Sequence, residues 1–243
     1  YQLLSQKENS FKYKAKMKDV VAKIEDLPTL PSVVTKIIEM SEDSKSSAED
    51  IAKVITLDPA LTAKILKIAN SAYYGFKQRT SSLEGAIVTL GLKVVKSLAL
   101  NVSVLESFSN SKKGDFDQKK FWEHAVGCAV ISKLLAKKSG YPSAELEEAF
   151  TAGLLHDIGK VVLDRYLHDE FGSAVRMALE ENIAIIEAED KILGINHTEV
   201  GHWLAFMWKL PEDLQWAIFS HHQPEFAVKD ARKLSGIVHL SDC

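Results

Sequence analysis

Apolar residues recur every three or four positions along nearly the whole of this 243-residue chain, and strand-like alternation is nearly absent. A chain patterned this way hides its apolar stripes by packing helix on helix, so the predicted fold class is all-α. Helices are expected at about Ser32–Ser41, Leu83–Leu90, Leu92–Leu105 and Phe121–Leu135, and from Pro142 to about Gly159. Further helices are expected at Phe171–Glu181, Ile183–Gly194, Thr198–Trp208 and Pro211–His222, with a short one at Lys18–Ile24 and a last one from about Lys229. Asp58-Pro59 is a start signal, an N-cap acid with proline at the first helical position. Ser47 followed by Asp50 resembles a capping box. The polar stretch SFSNSKKGDFD (Ser107–Asp117) is the one composition break. It predicts two helical subdomains, residues 1–110 and 118–243.

The net charge of −3 gives no electrostatic case for nucleic acid or an anionic membrane surface. Two cysteines, Cys128 and Cys243, form no CxxC pair, so neither a disulfide framework nor a thiolate knuckle is expected. Cys128 lies among apolar residues and reads as a small buried hydrophobe. No apolar run reaches membrane-span length and no signal peptide is visible, so a cytoplasmic setting is expected. The chain opens on Tyr1, as part of a longer sequence would.

The informative anomaly is a set of His and Asp residues on apolar stripes. Leu146, Ala149, Phe150, Gly153, Leu154 and Asp157 follow helical spacing, which turns Asp157 toward the core. A lone buried carboxylate costs several kcal/mol unless a cation, a metal or several donors satisfy it. His156 adjoins it. His124 shares a face with Cys128, Ile131 and Leu135, and His221 with Leu214, Ala217 and Ile218. His222 stands four residues after Ile218, Asp242 four after Val238, and His197 just before an apolar helix. Imidazole and carboxylate donors without thiolate suit a divalent ion in a catalytic or redox-capable site. Iron or manganese is favoured, with zinc, nickel or magnesium as alternatives. Two ions sharing a bridging Asp could activate a water for phosphoester attack.

Plainer roles stand beside these. His156 and Asp157 could be a hydrogen-bonded core pair. His221 and His222 could be a helix C-terminal pair favoured by the macrodipole, and Lys160 a dipole partner of its helix. His197 could be a surface residue near a cap. His168, His202 and His239 read as structural, and Trp203, Trp208 and Trp216 as packing contacts.

HDIGK (His156–Lys160), preceded by AFTAGLL, resembles the core of the HD phosphohydrolase superfamily. Its pattern of a His, a His-Asp dyad and a distant Asp maps onto His124, His156, Asp157 and Asp242. LPTLPSVVTKI, ITLDPALTAKILKIANSAYYG and SLEGAIVTLGLKVVKSLAL resemble the bacterial HDOD (HD-related output domain) family, so the likeness spans roughly residues 20 to 243. The resemblance implies an HD-type helical bundle in the C-terminal half. His197 in HTEVG is similar to a third histidine of the HD-GYP phosphodiesterases, and His221-His222 to their His pair. Lys160 matches a lysine thought to hold substrate phosphate there.

Two departures bear on activity. QPEFAVKD replaces the GYP loop, and Lys120 stands where some HD-GYP proteins carry a glutamate. Both argue against a trinuclear site and against cyclic di-GMP hydrolysis. Two functions follow from the resemblance. One is a regulatory module that keeps a metal site and relays a signal to a protein partner. The other is a metal-dependent phosphohydrolase acting on a nucleotide or other phosphoester, with Asp157 and Lys160 catalytic and one or two ions held by His124, His156, Asp157, His197, His221, His222 and Asp242.

Overall fold

The computed structural model describes residues 30–42, 47–74, 80–108 and 116–243. The helix expected at Lys18–Ile24 lies outside them, as do residues 109–115 of the expected linker. Every regular element among the described residues is helical.

The first group comprises α1 (Ser32–Glu42), α2 (Ala48–Thr56), α3 (Pro59–Ala69), α4 (Leu83–Leu90) and α5 (Leu92–Ser107). Local chemistry sets their ends. Ser47 Oγ accepts the Asp50 N–H while the Asp50 carboxylate accepts the Ser47 N–H, a complete capping box. Asp58 caps α3 by accepting the Leu61 N–H at 3.0 Å. Gly91 joins α4 to α5 at φ +90°, ψ 153°, a conformation that a Cβ disfavours. Gly91→Ala is therefore expected to destabilise the chain by about 1–3 kcal/mol, read as a shift in urea midpoint at unchanged m-value.

The second group is α6 (Gln118–Lys138), α7 (Leu146–Leu155), α8 (Ile158–Tyr166), α9 (His168–Glu181), α10 (Ile185–Ile192), α11 (His197–Met207), α12 (Glu212–Ser220) and α13 (Arg232–Asp242). One buried apolar cluster runs through both groups, from Val34 and Leu98 to Leu154, Ile158 and Ile218. α5 packs on α7, where Ser97 Oγ and Thr151 Oγ1 lie 2.6 Å apart. α5 runs to Ser107, two residues beyond the expected end. Phe108 is buried and its ring centroid lies 6.1 Å from that of Trp208, so the chain leaves the core only after an aromatic anchor.

No single helix among the described residues is long and apolar enough to cross a membrane. α4 and α5 together have the length and apolar composition of a span, but they are bent by 118° and much of α5 is buried in the core.

Close helix contacts surround the C-terminal His/Asp residues. A Cβ on Gly153 would sit 2.6 Å from Ser132 Oγ and 2.7 Å from the Cys128 carbonyl, so α6 and α7 touch there backbone to backbone. A Cβ on Gly159 would overlap the His197 carbonyl, which brings α8 equally close to α11.

Candidate metal centre

The helix expected from Pro142 to Gly159 is in fact two. α7 stops at Leu155 and α8 starts at Ile158, with Asp157 between them at φ −100°, ψ 10°. The His156 side chain takes part in the break. Its Nδ1 donates to the Gly153 carbonyl at 2.8 Å, competing with the helical ladder. Freed from one helix, His156 and Asp157 turn their side chains into the same interior space. α12 ends the same way. It stops at Ser220, short of the expected His222, and His221 Nδ1 donates to the Ile218 carbonyl at 2.8 Å. In both histidines the backbone claims Nδ1 and leaves Nε2 as the inward-facing donor atom.

Around Asp157 the side chains fall into two sets, each with ligand atoms within 4.8 Å of one another. The first is His124, Cys128, His156 and Asp242. Here Asp242 Oδ1 lies 3.0 Å from His124 Nε2 and 3.2 Å from His156 Nε2. The second is Asp157, His197, His221 and His222. Asp157 Oδ1 lies 3.3 Å from His197 Nε2 and 3.6 Å from His221 Nε2, and the Nε2 atoms of His197 and His222 are 3.0 Å apart. The other oxygen of Asp157, Oδ2, lies 3.3 Å from His156 Nε2, so one carboxylate faces both sets.

All seven metal-site residues expected from the sequence are thus near one another, contributed by α6, the α7–α8 break, α11, the end of α12, and α13. One detail differs. His124 is not an inward residue: its side chain is 43% exposed and lies on the solvent side of the cluster. Lys160 does not sit at a helix C-terminus either. It occupies the first turn of α8, with Nζ 2.5 Å from Asp157 Oδ2.

Asp157 Oδ1 and His221 Nε2 are buried without a hydrogen-bond partner. Such atoms cost about 1–3 kcal/mol each, more if charged, and a shared divalent cation would satisfy both. The donor set, imidazole and carboxylate with polar anchors behind it, fits that ion.

Electrostatics divide the donor set. Burial works against charge on Asp157, but the neighbouring His156 and Lys160 overcome it and hold the carboxyl well below its usual range. Burial likewise opposes a charged His156, yet Asp157 and Asp242 outweigh it and raise its pKa to about 10. Burial, with nearby Lys160, pushes His197 down to about 3. Burial also takes His221 to about 4, and burial with His221 and His197 takes His222 to about 3. Neutral imidazole is the form that binds metal, so His197, His221 and His222 stand ready for an ion, whereas His156 gives up a proton to ligate one.

Two contributors were not foreseen. Glu189 of α10 is fully buried, and its Oε2 accepts the His197 N–H at 2.9 Å and lies 2.6 Å from Nδ1. It fixes the His197 ring and directs Nε2 at Asp157. Its signal was present, since Ile185 and Leu193 flank it at helical spacing. Burial raises the Glu189 pKa to about 8. Glu189→Gln is expected to weaken metal binding about ten- to a hundredfold, measured by competition with a chromophoric chelator. Cys128 is the other, with Sγ 3.4 Å from His124 Nε2.

His168, His202 and His239 stay outside the cluster. Their Nδ1 atoms contact Asp164 Oδ1 at 2.9 Å, the Gln215 carbonyl at 3.2 Å and the His221 carbonyl at 2.7 Å. His239 thereby tethers the backbone that carries His221.

Fold and cluster together define an all-helical protein with a His- and Asp-built candidate metal centre. The chain belongs to the HDOD family: the HDOD domain model matches residues 27–224. An HDOD domain protein of unknown function from Geobacter sulfurreducens is similar in structure, with TM-score 0.82 and 29% identity over 94% of this chain and 76% of that one. A candidate phosphohydrolase from Shewanella amazonensis SB2B is also similar, with TM-score 0.77 and 26% identity over 92% of this chain and 78% of the other. In sequence the chain is 27% identical over 223 residues to an uncharacterized protein of Treponema pallidum (strain Nichols), covering 92% of this chain. It spans 43% of that relative's length.

Proposed function

We propose that the chain is a regulatory HDOD module whose C-terminal half holds one or two divalent ions, iron or manganese by preference, and which relays a signal to a protein partner. His124, His156 and Asp242 would hold one ion, His197, His221 and His222 the other, with Asp157 between them. When bound, such an ion supplies charge that locks five separate segments together, and it can polarise a phosphoester. Glu189 orients His197, and Lys160 neutralises Asp157.

The observation that favours regulation over turnover is the cavity of about 850 Å³ that opens on His222. Among the described residues it is lined by Glu187, Asp190 and Glu199, by the neutral polar Asn196, Thr198 and Gln223 and by apolar residues, and by no Lys or Arg. A phosphoester bearing several negative charges that approached His222 through this cavity would meet carboxylates, and the ammonium of Lys160 is already engaged by Asp157.

The competing reading, a metal-dependent phosphohydrolase, draws support from the likeness to the Shewanella protein and from the carboxylate that faces both ligand sets. The test is turnover of phosphomonoesters, phosphodiesters and cyclic dinucleotides by protein loaded with manganese or iron. No hydrolysis above the metal-only background is expected. Hydrolysis that disappears in Asp157→Ala would establish the enzyme instead.

A further inference from the structure

Cys128 is buried, as expected of a small hydrophobe, but its thiol meets polar atoms. It lies one helical turn after His124 on α6, so both side chains project the same way. Its Sγ is 3.4 Å from His124 Nε2 and 3.3 Å from the carbonyl of Ser241, the residue before Asp242. The donor atoms of His124, Cys128, His156 and Asp242 all lie within 4.8 Å of one another.

Those separations can be compared with what one ion requires. A tetrahedral centre with metal–sulfur near 2.3 Å and metal–nitrogen near 2.0 Å places sulfur and nitrogen about 3.5 Å apart, and nitrogen and oxygen about 3.3 Å apart. The structure has 3.4 Å for sulfur to nitrogen, and 3.0 and 3.2 Å for the two nitrogen-to-oxygen pairs. The arrangement carries its own anchors. His156 Nδ1 is fixed by the Gly153 carbonyl, and α13 is pinned to α6 by the Ser132–Ser241 hydroxyl pair at 2.9 Å.

We infer that Cys128 is a thiolate ligand of the first metal position, which is a Cys-His-His-Asp site. The inference rests on the metal-binding reading above. On binding, a sulfur lone pair forms the metal–sulfur bond, the S–H bond breaks and its proton passes to solvent. No oxidant or reductant is involved. Two consequences follow. A sulfur donor turns this position toward zinc, iron(II) or cobalt(II) and away from magnesium and manganese. Cys128, His124, His156 and Asp242, with Asp157 Oδ2 facing the same ion, fill the position with protein donors and leave substrate no open place, which makes it structural or regulatory.

The test uses the full chain carrying Cys243→Ser, which removes the exposed second cysteine. The chain is stripped with chelator and loaded with cobalt(II). Cobalt per chain is counted by elemental analysis, and the near-ultraviolet spectrum is recorded. The expected result is bound cobalt with a thiolate-to-cobalt charge-transfer band, and loss of the band on adding Cys128→Ser. Bound cobalt with no such band overturns ligation by Cys128 and leaves the metal reading standing. No bound cobalt overturns both. Should the Cys128→Ser chain fail to fold, X-ray absorption at the zinc edge of the Cys243→Ser protein decides the matter. A sulfur neighbour at about 2.3 Å supports the assignment, and a shell of nitrogen and oxygen alone overturns it.

Discussion

Asp157→Ala is expected to weaken divalent-metal binding by more than about a hundredfold at both positions, because a single carboxylate serves both. Its Oδ2 faces His156 and its Oδ1 faces His197 and His221. Calorimetric titration with manganese or zinc reads the loss directly. The substitution also leaves Lys160 and His156 charged in the interior without their principal counter-charge. Breaking a buried pair from one side costs about 3–5 kcal/mol, so a large drop in stability should accompany the loss of metal. Asp157→Asn separates the two effects. It keeps the shape, removes the charge, and should still lose the thermal stabilisation that metal gives the parent chain, about 2.7 kcal/mol at a hundredfold excess over Kd. Parent-like affinity in both variants would show that Asp157 ligates nothing.

Gly159→Ala is expected to be the most damaging single-methyl change in the C-terminal half. The added carbon would overlap the His197 carbonyl and approach the Gly201 backbone nitrogen to 2.8 Å, and backbone on both sides cannot step aside as a side chain can. α8 and α11 must separate, at a cost of about 3 kcal/mol or more. The same displacement moves His197 away from Asp157, so metal affinity should fall even though no ligand is changed. Gly127→Ala is the control. It lies in the helix α6, and a Cβ there meets nothing within 4 Å. It should stabilise the chain by about 0.5–1 kcal/mol, the ordinary helical gain over glycine. Urea denaturation of the two variants should therefore give opposite signs, and equal signs would refute the packing argument.

Much of this could be read from the residues in order. The 3.6-residue rhythm named the helices because each side of a helix meets one environment, and the rhythm is local. Ser47 with Asp50 and Asp58 with Pro59 marked helix starts for the same reason: a cap is satisfied within four residues. His124, Asp157, His221 and Asp242 stood out as polar groups at apolar positions, an anomaly visible in one helix at a time.

What needed the tertiary structure was everything that depends on a distant partner. The sequence read Pro142 to Gly159 as one helix, whereas the chain breaks at His156–Asp157 so that two adjacent side chains can reach one place. Apolar periodicity runs straight through that break and cannot signal it. Glu189 shares a helical face with Ile185 and Leu193, but only the approach of His197 from another helix gives it a role. Cys128 passed as a hydrophobe until Ser241 and Asp242 arrived from 113 residues away. The sequence by itself determined which side chains had to be hidden, since burial preference belongs to each residue and its neighbours. Which hidden groups meet was decided by packing, because contacts such as Gly153 against Cys128 and Gly159 against His197 bring backbones closer than any local pattern records.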